Sequence, residues 1–391
     1  MTLSERYWGS FFVLAVLFVV LQLYSRSKTG SSSSSGGNTK FVAFQNNYLF
    51  VFMLAMFSDW LQGPYVYELY VSYGFNQQQI AELFVCGFGS SMIVGTFVGG
   101  LADKFGRKGM CIVYSICYII ACCTKLVPEY WTLMLGRFLS GISTSLLFSV
   151  FESWMVCEHS KKGFDPSLLG DTFSYATLGN GFVAVVAGLV ANSAASSYGF
   201  YAPFVVAILP LAVVAIMVFA TWQENYGNQQ QNMMSSLIKG FDLIRSDSRI
   251  AALGMGQSCF EGAMYTFVFM WTPALKTEEE KAVENGGTAT EGMESSSQYL
   301  GLIFAVFMVS VMVGSSLFKI LSPTKESLYR VPLYLHGAAF LAMASITLFL
   351  DNKFVVYCMF LVFEASVGLF YPAYGVIKSE KIPEDIRRLA S

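Results

Sequence analysis

The chain is 391 residues long, 54% hydrophobic and only 13% charged, where a soluble domain carries about a quarter charged residues. That mix excludes an ordinary water-soluble globule, and a net charge of -2 gives neither the basic footprint of a nucleic-acid binder nor an acidic binding tail. The eight cysteines lie in or beside apolar runs, so no disulfide framework is implied, and Cys122 and Cys123 have no second ligand at helical spacing for a metal.

A bilayer core takes about 20 apolar residues per helix. Qualifying runs lie near 8–24, 48–70, 80–101, 109–125, 131–155, 172–191, 202–222, 250–275, 298–319, 331–350 and 354–376, which predicts eleven spans. The first run lacks a basic leading region and a small-residue cleavage site, so residues 1–24 are expected as a retained anchor helix. Residues 25–47, with Ser31 to Ser35 set among Gly30, Gly36 and Gly37, read as a flexible linker. Residues 48–222 then form a six-helix bundle, 223–249 a polar central loop, and 250–391 a bundle of four helices.

Loop charges orient these spans. With the N-terminus outside, the segments facing the cytoplasm hold 17 Lys and Arg and those facing out hold five, the bias expected because basic loops resist translocation. The outer segment 276–297 is rich in glutamate, Glu280 among them, and reads as a solvated, solubilising loop. Glu68 and Glu82, near the outer ends of their spans, are expected at the interface, and His336 as a packing residue.

Polar residues within apolar spans are where transport chemistry is sought, because each must face protein or water rather than lipid. Arg137 heads a small and polar face that continues through Ser140, Gly141, Thr144, Phe148 and Glu152 and is expected to line a cavity. Asp59 shares a face with Gln62 just before Pro64; Glu261 stands at the matching depth of the first helix of the second half, in line with Gln257; Glu364 lies at a depth similar to Arg137. Acids and a base converging on one interior would suit a substrate or proton relay, the alternative being a structural ion pair. No H-E-x-x-H, G-x-S-x-G or G-x-x-x-x-G-K-[ST] occurs, so zinc proteolysis, serine hydrolysis and ATP-driven pumping lack their residues, and the many aromatics imply no cofactor.

The stretch Gly99-Gly100-Leu101-Ala102-Asp103-Lys104-Phe105-Gly106-Arg107-Lys108, in the turn after the second core span, is similar to the G-x-L-A-D-x-x-G-R-K element of the major facilitator superfamily. Leu135-Gly136-Arg137-Phe138-Leu139-Ser140-Gly141 resembles that superfamily's L-x-R-x-x-x-G element. Asp59 through Tyr67, Phe151-Glu152-Ser153-Trp154-Met155 and Phe370-Tyr371-Pro372-Ala373-Tyr374-Gly375 narrow the resemblance to the molybdate-anion transporters, from residue 1 to about Arg387.

The resemblance implies an all-α polytopic membrane protein of the major facilitator fold, with two helical bundles and an extra N-terminal helix. Measured against that family's six plus six helices, the second bundle is truncated by two, and the latch that the resemblance assigns to Gly99, Asp103, Gly106, Arg107 and Lys108 works in the family against the eleventh core helix. It implies a secondary transporter, not an enzyme, that imports molybdate across the cell membrane without a cofactor. A tetrahedral dianion needs donors, and Arg137 with Gln62, Tyr67, Thr144, Asn180 and Gln257 is the expected cradle, with Asp59, Glu261 or Glu364 carrying a coupled proton. Two other readings stay open: a facilitator of a sugar or another organic solute, and a non-transporting sensor or partner-binding membrane protein.

Overall fold

The structure, a computed structural model, describes residues 2–28, 39–227, 233–278, 280, 295–322 and 324–381. Among these residues the regular structure is helical throughout and no strand occurs. The chain divides into two compact units, one of residues 34–239 and the other of residues 1–33 with 240–390.

The 34–239 unit opens with α2 (Thr39–Gln62), which stops where Gly63 and Pro64 interrupt the backbone ladder and resumes one turn later as the short α3 (Val66–Ser72). Helix α4 (Gln77–Phe105) starts from a capping box in which Asn76 accepts from the Gln79 amide and Gln79 from the Asn76 amide. A single residue, Gly106, joins α4 to α5 (Arg107–Thr124), and its φ of 97° explains why a glycine stands at this sharp turn. Glu129 caps α6 (Tyr130–Leu147), after which a break at Phe148 and Ser149 leads into α7 (Val150–Lys161). The long α8 (Ser167–Tyr198) and α9 (Ala202–Thr221) complete the unit.

In the second unit, α11 (Ser248–Leu275) follows α10 (Met233–Ser246), whose course crosses the division between units. A short 3-10 turn (Ser296–Tyr299) leads into α12 (Leu300–Leu321), followed by α13 (Lys325–Leu348) and α14 (Lys353–Lys381). Helix α1 (Leu3–Lys28) belongs here and lies along α12: Gln22 donates to Ser316 at 3.2 Å, and Tyr7 meets the Tyr357 and Tyr299 rings at 5.2 and 6.0 Å. Arg6 covers the Phe354 ring at 5.1 Å, while Phe12, Val13, Val16 and Val20 stay exposed, as a lipid-facing side requires.

The two units repeat one crossing. A Cβ added at Gly141 on α6 would lie 1.9 Å from Ser90 Oγ and 2.3 Å from the Gly87 carbonyl on α4; one at Gly368 on α14 would lie 2.0 Å from the Val311 carbonyl on α12. In each unit the second and fourth core helices therefore touch backbone to backbone at a glycine, the packing that small residues permit within a bilayer.

Among the described residues ten helical segments are long and apolar enough to cross a bilayer, one fewer than expected. The missing one is α11, whose 28 residues suffice in length but include Gln257, Glu261 and several glycines. Within the polar stretch 223–249 the residues of α10 are helical, and α1 and α2 extend over 25–28 and 39–47, within the expected linker. The serine run at 31–35 and the end of the chain beyond 381 lie outside the described residues.

Candidate functional site

Arg137 leaves α6 toward α4. Its Nε donates to the Leu83 carbonyl at 3.2 Å, its guanidinium covers the Phe84 ring at 4.7 Å, and Gly87 lies so near that an added Cβ would sit 3.0 Å from Nε and Nη2. Tyr67, buried on α3, packs on the same Phe84 ring with centroids 6.4 Å apart, so Arg137 and Tyr67 do share a locality. The rest of the Arg137 face divides. Gly141 is used in the α4–α6 crossing rather than lining a cavity, Thr144 donates to the Ser140 carbonyl of its own helix, and Glu152 is exposed on α7.

The other polar residues of this unit have partners of their own. Asp59 accepts from the Tyr118 hydroxyl at 2.5 Å; Gln62, 7% exposed, donates back to the Ser58 carbonyl; Asn180 accepts from the Trp60 indole at 2.8 Å. Glu68 is buried at 5% exposure instead of standing at the interface, because α3, beyond the Pro64 break, packs on α4, whereas Glu82 is exposed as expected and accepts from Tyr130 and Gln78.

A basic residue missed by loop counting stands beside Arg137. Lys125, at the end of α5 remote from Gly106, is 2% exposed rather than solvated; its ammonium donates to the Tyr70 hydroxyl at 2.6 Å, and its carbonyl accepts from Tyr73 at the same distance. Burial, and then the positive charge of Arg137, push the Lys125 ammonium well below the usual lysine range. The signal available in the sequence was the aromatic pair Tyr70 and Tyr73 on the helix following Pro64.

In the other unit Gln257 donates to Glu261 at 2.7 Å. The Tyr371 hydroxyl is within electrostatic reach of both Glu261 and Glu364, and Lys378 is within reach of Glu261. Glu364 is 5% exposed. His336 lies with Nδ1 2.7 Å from the Pro332 carbonyl and Nε2 3.4 Å from the Tyr374 hydroxyl, so a neutral ring protonated at Nδ1 has a partner at each nitrogen. Glu280, expected to be solvated, is instead buried and accepts from Thr277 N, Ser295 Oγ, Ser296 N and Ser296 Oγ at 2.6–2.9 Å. Burial alone would raise its carboxyl; these four hydrogen bonds outweigh that and hold it below the usual range.

The turn at Gly106 carries a second cluster. Asp103 and Arg107 pair at 2.6 Å. Glu224, just past α9, accepts from the Lys108 and Gly109 amides at 2.9 and 3.0 Å, the Asn225 carbonyl accepts from the Arg107 amide at 3.0 Å, and Lys108 Nζ donates to the Phe219 carbonyl at 2.8 Å. Gly99 has open space where a Cβ would stand, so no close helix approach depends on it within the described chain. At the same end a cavity of about 260 Å³, lined in part by Phe44, Asn47, Trp154 and Gln223, has its Glu158 carboxylate already matched by Lys162 at 3.3 Å. All eight cysteines are free, and no cluster of metal ligands occurs among the described residues.

Comparison with known proteins fits this architecture. The family of sugar transporters with twelve transmembrane segments matches residues 6–369. A molybdate-anion transporter of Takifugu rubripes is 34% identical over 96% of this chain and 81% of its own length, and one of Xenopus tropicalis is 33% identical over 95% and 80%. Among solved structures, the nucleoside transporter NupG superimposes with a TM-score of 0.61 over 89% of this chain and 85% of its own, and the xylose transporter XylE of E. coli with 0.61 over 90% and 87%, each at 14% identity, which speaks to the fold alone.

Proposed function

The chain belongs to the major facilitator superfamily, in the twelve-segment transporter family that includes the molybdate-anion transporters, and within it we propose that this multi-pass membrane transporter carries molybdate or a similar tetrahedral oxyanion. The observation that carries the reading is the 34% identity to a molybdate-anion transporter across nearly the whole chain. The chemistry agrees with it: the Arg137 guanidinium meets only neutral partners, a carbonyl and a ring, and among the described residues no carboxylate lies within the 4.0 Å ion-pair distance. A cation held that way keeps its charge available for a dianion.

We further infer import across the cell membrane, which rests on the likeness to the molybdate-anion transporters, with the N-terminus outside, which rests on the basic-loop count. Proton coupling through Asp59, Glu261 or Glu364 follows from charge: an ionised carboxylate beside a dianion repels it, so a protonated one is favoured while substrate is bound. The expected latch is the Asp103–Arg107 pair on its single-glycine turn, Lys108 being held at Phe219.

A second reading, a sugar carrier, is favoured by the description of the matching family and by the amides of Gln62, Asn180 and Gln257. Uptake into proteoliposomes separates the two. Labelled molybdate should enter, and unlabelled tungstate should compete while xylose should not; saturable xylose uptake without molybdate uptake would establish the sugar reading instead.

A further inference from the structure

We propose that Lys125 and Arg137, with the Tyr70 hydroxyl between α3 and α5, form a binding station for a small tetrahedral dianion within the 34–239 unit. The proposal rests on the oxyanion reading above and assigns it a place.

Neither Lys125 nor Arg137 has a carboxylate as a partner among the described residues. Lys125 has three donors, and its ammonium makes one hydrogen bond, to a neutral hydroxyl, while 98% of its surface is withdrawn from water. Such burial of a cation is costly unless a counter-charge is present. No carboxylate lies within ion-pair distance of either cation among the described residues, and each raises the other's cost by repulsion. A purely structural role would be served as well by an uncharged side chain on Tyr70. An anion held between the two removes both penalties, which is the arrangement in which charge-assisted hydrogen bonds are strongest.

Position and size narrow the ligand. Cys86 on α4 lies within electrostatic reach of both Arg137 and Lys125. Gly87, the next residue, lies against the guanidinium, so that any side chain there would crowd Arg137. A bound dianion would favour the protonated form of Lys125, so that two cations then match two negative charges, and Tyr70 offers a further polar contact. A compact inorganic dianion fits this description better than a sugar, which brings no charge to offset. The station lies at the end of α5 remote from the Asp103–Lys108 turn, so it would hold substrate near one mouth of the unit rather than at its latch.

Binding of molybdate to the full chain in lipid nanodiscs, measured by titration calorimetry, tests this. K125M should weaken binding by at least about tenfold, Y70F by about threefold, and K125R should stay within about threefold of the unaltered chain. In the unaltered chain molybdate should also protect Cys86, but not the exposed Cys259, from N-ethylmaleimide when the modified peptides are mapped by mass spectrometry. This second measurement decides the matter if K125M does not fold. Unchanged affinity in K125M, or molybdate binding that leaves Cys86 unprotected, overturns the station and leaves the transport reading standing. Failure of the unaltered chain to bind any tetrahedral oxyanion overturns both.

Discussion

Glu224 is bonded to the backbone of Lys108: its carboxylate accepts the Lys108 amide at 2.9 Å and the adjoining Gly109 amide at 3.0 Å, at the first turn of α5. An acid at a helix N-terminus satisfies orphan amides and favours the helix dipole, so the segment after α9 fixes the angle at which α5 leaves Gly106. Glu224→Ala should lower stability by about 2 kcal/mol, with Glu224→Gln intermediate. Thermal unfolding in nanodiscs checks this, and equal stability of all three proteins would remove Glu224 from the account.

The glycine crossings make a paired prediction with an internal control. Gly141→Ala and Gly368→Ala both place a Cβ about 2 Å from backbone or side-chain atoms of the facing helix, and each should cost about 2–3 kcal/mol by forcing the helices apart. Gly89→Ala, with nothing within 4 Å, should be neutral or slightly stabilising. Similar losses at Gly141 and Gly89 would mean that helix flexibility, not contact, sets the requirement.

Glu280 couples one connection to pH. Its carboxyl is held below the ordinary glutamate range in the folded chain, so its contribution is fully present above the unfolded value of about 4.3 and fades as pH falls through the lower folded value. Glu280→Ala should therefore lower the unfolding temperature at pH 7, with a cost of about 2–4 kcal/mol, and the gap to the unaltered chain should narrow below pH 4. A gap constant with pH would show that packing rather than the charged hydrogen bonds is responsible.

Proton coupling predicts that molybdate uptake rises as the outer pH is lowered and that neutralising the coupling acid removes this dependence. Asp59→Asn, Glu261→Gln and Glu364→Gln are the three variants, and at least one should reduce proton-driven uptake about tenfold or more. Uptake indifferent to pH in the unaltered chain and in all three variants would eliminate the coupling.

The helical fold was legible because each crossing needs about 20 apolar residues in a row, and polar breaks between such runs are hard to mistake. Helix α11 shows the limit: Gln257 and Glu261 make it less apolar than its neighbours, while its length alone reveals it as a core helix. The lodging of α1 against α12 and α14 was not legible, since an apolar helix looks alike toward lipid and toward protein and the polar and aromatic contacts are those of Gln22 with Ser316 and Tyr7 with Tyr357. Arg137 stood out as a charge inside a span, but its neighbour did not. Loop counting treats a lysine between two spans as solvated, and only the fold brings Tyr70 of α3 over Lys125. Glu224 was missed for a related reason, because it caps a helix that begins 117 positions earlier in the chain.

Counterflow of labelled molybdate in proteoliposomes loaded with unlabelled molybdate, run on the unaltered chain, Arg137→Lys and Arg137→Gln, asks most directly whether this protein moves an oxyanion by means of Arg137. Accumulation of label by the unaltered chain, reduced in Arg137→Lys and abolished in Arg137→Gln, is the predicted result. Label entering equally through Arg137→Gln, or not entering through the unaltered chain while xylose does, would contradict it.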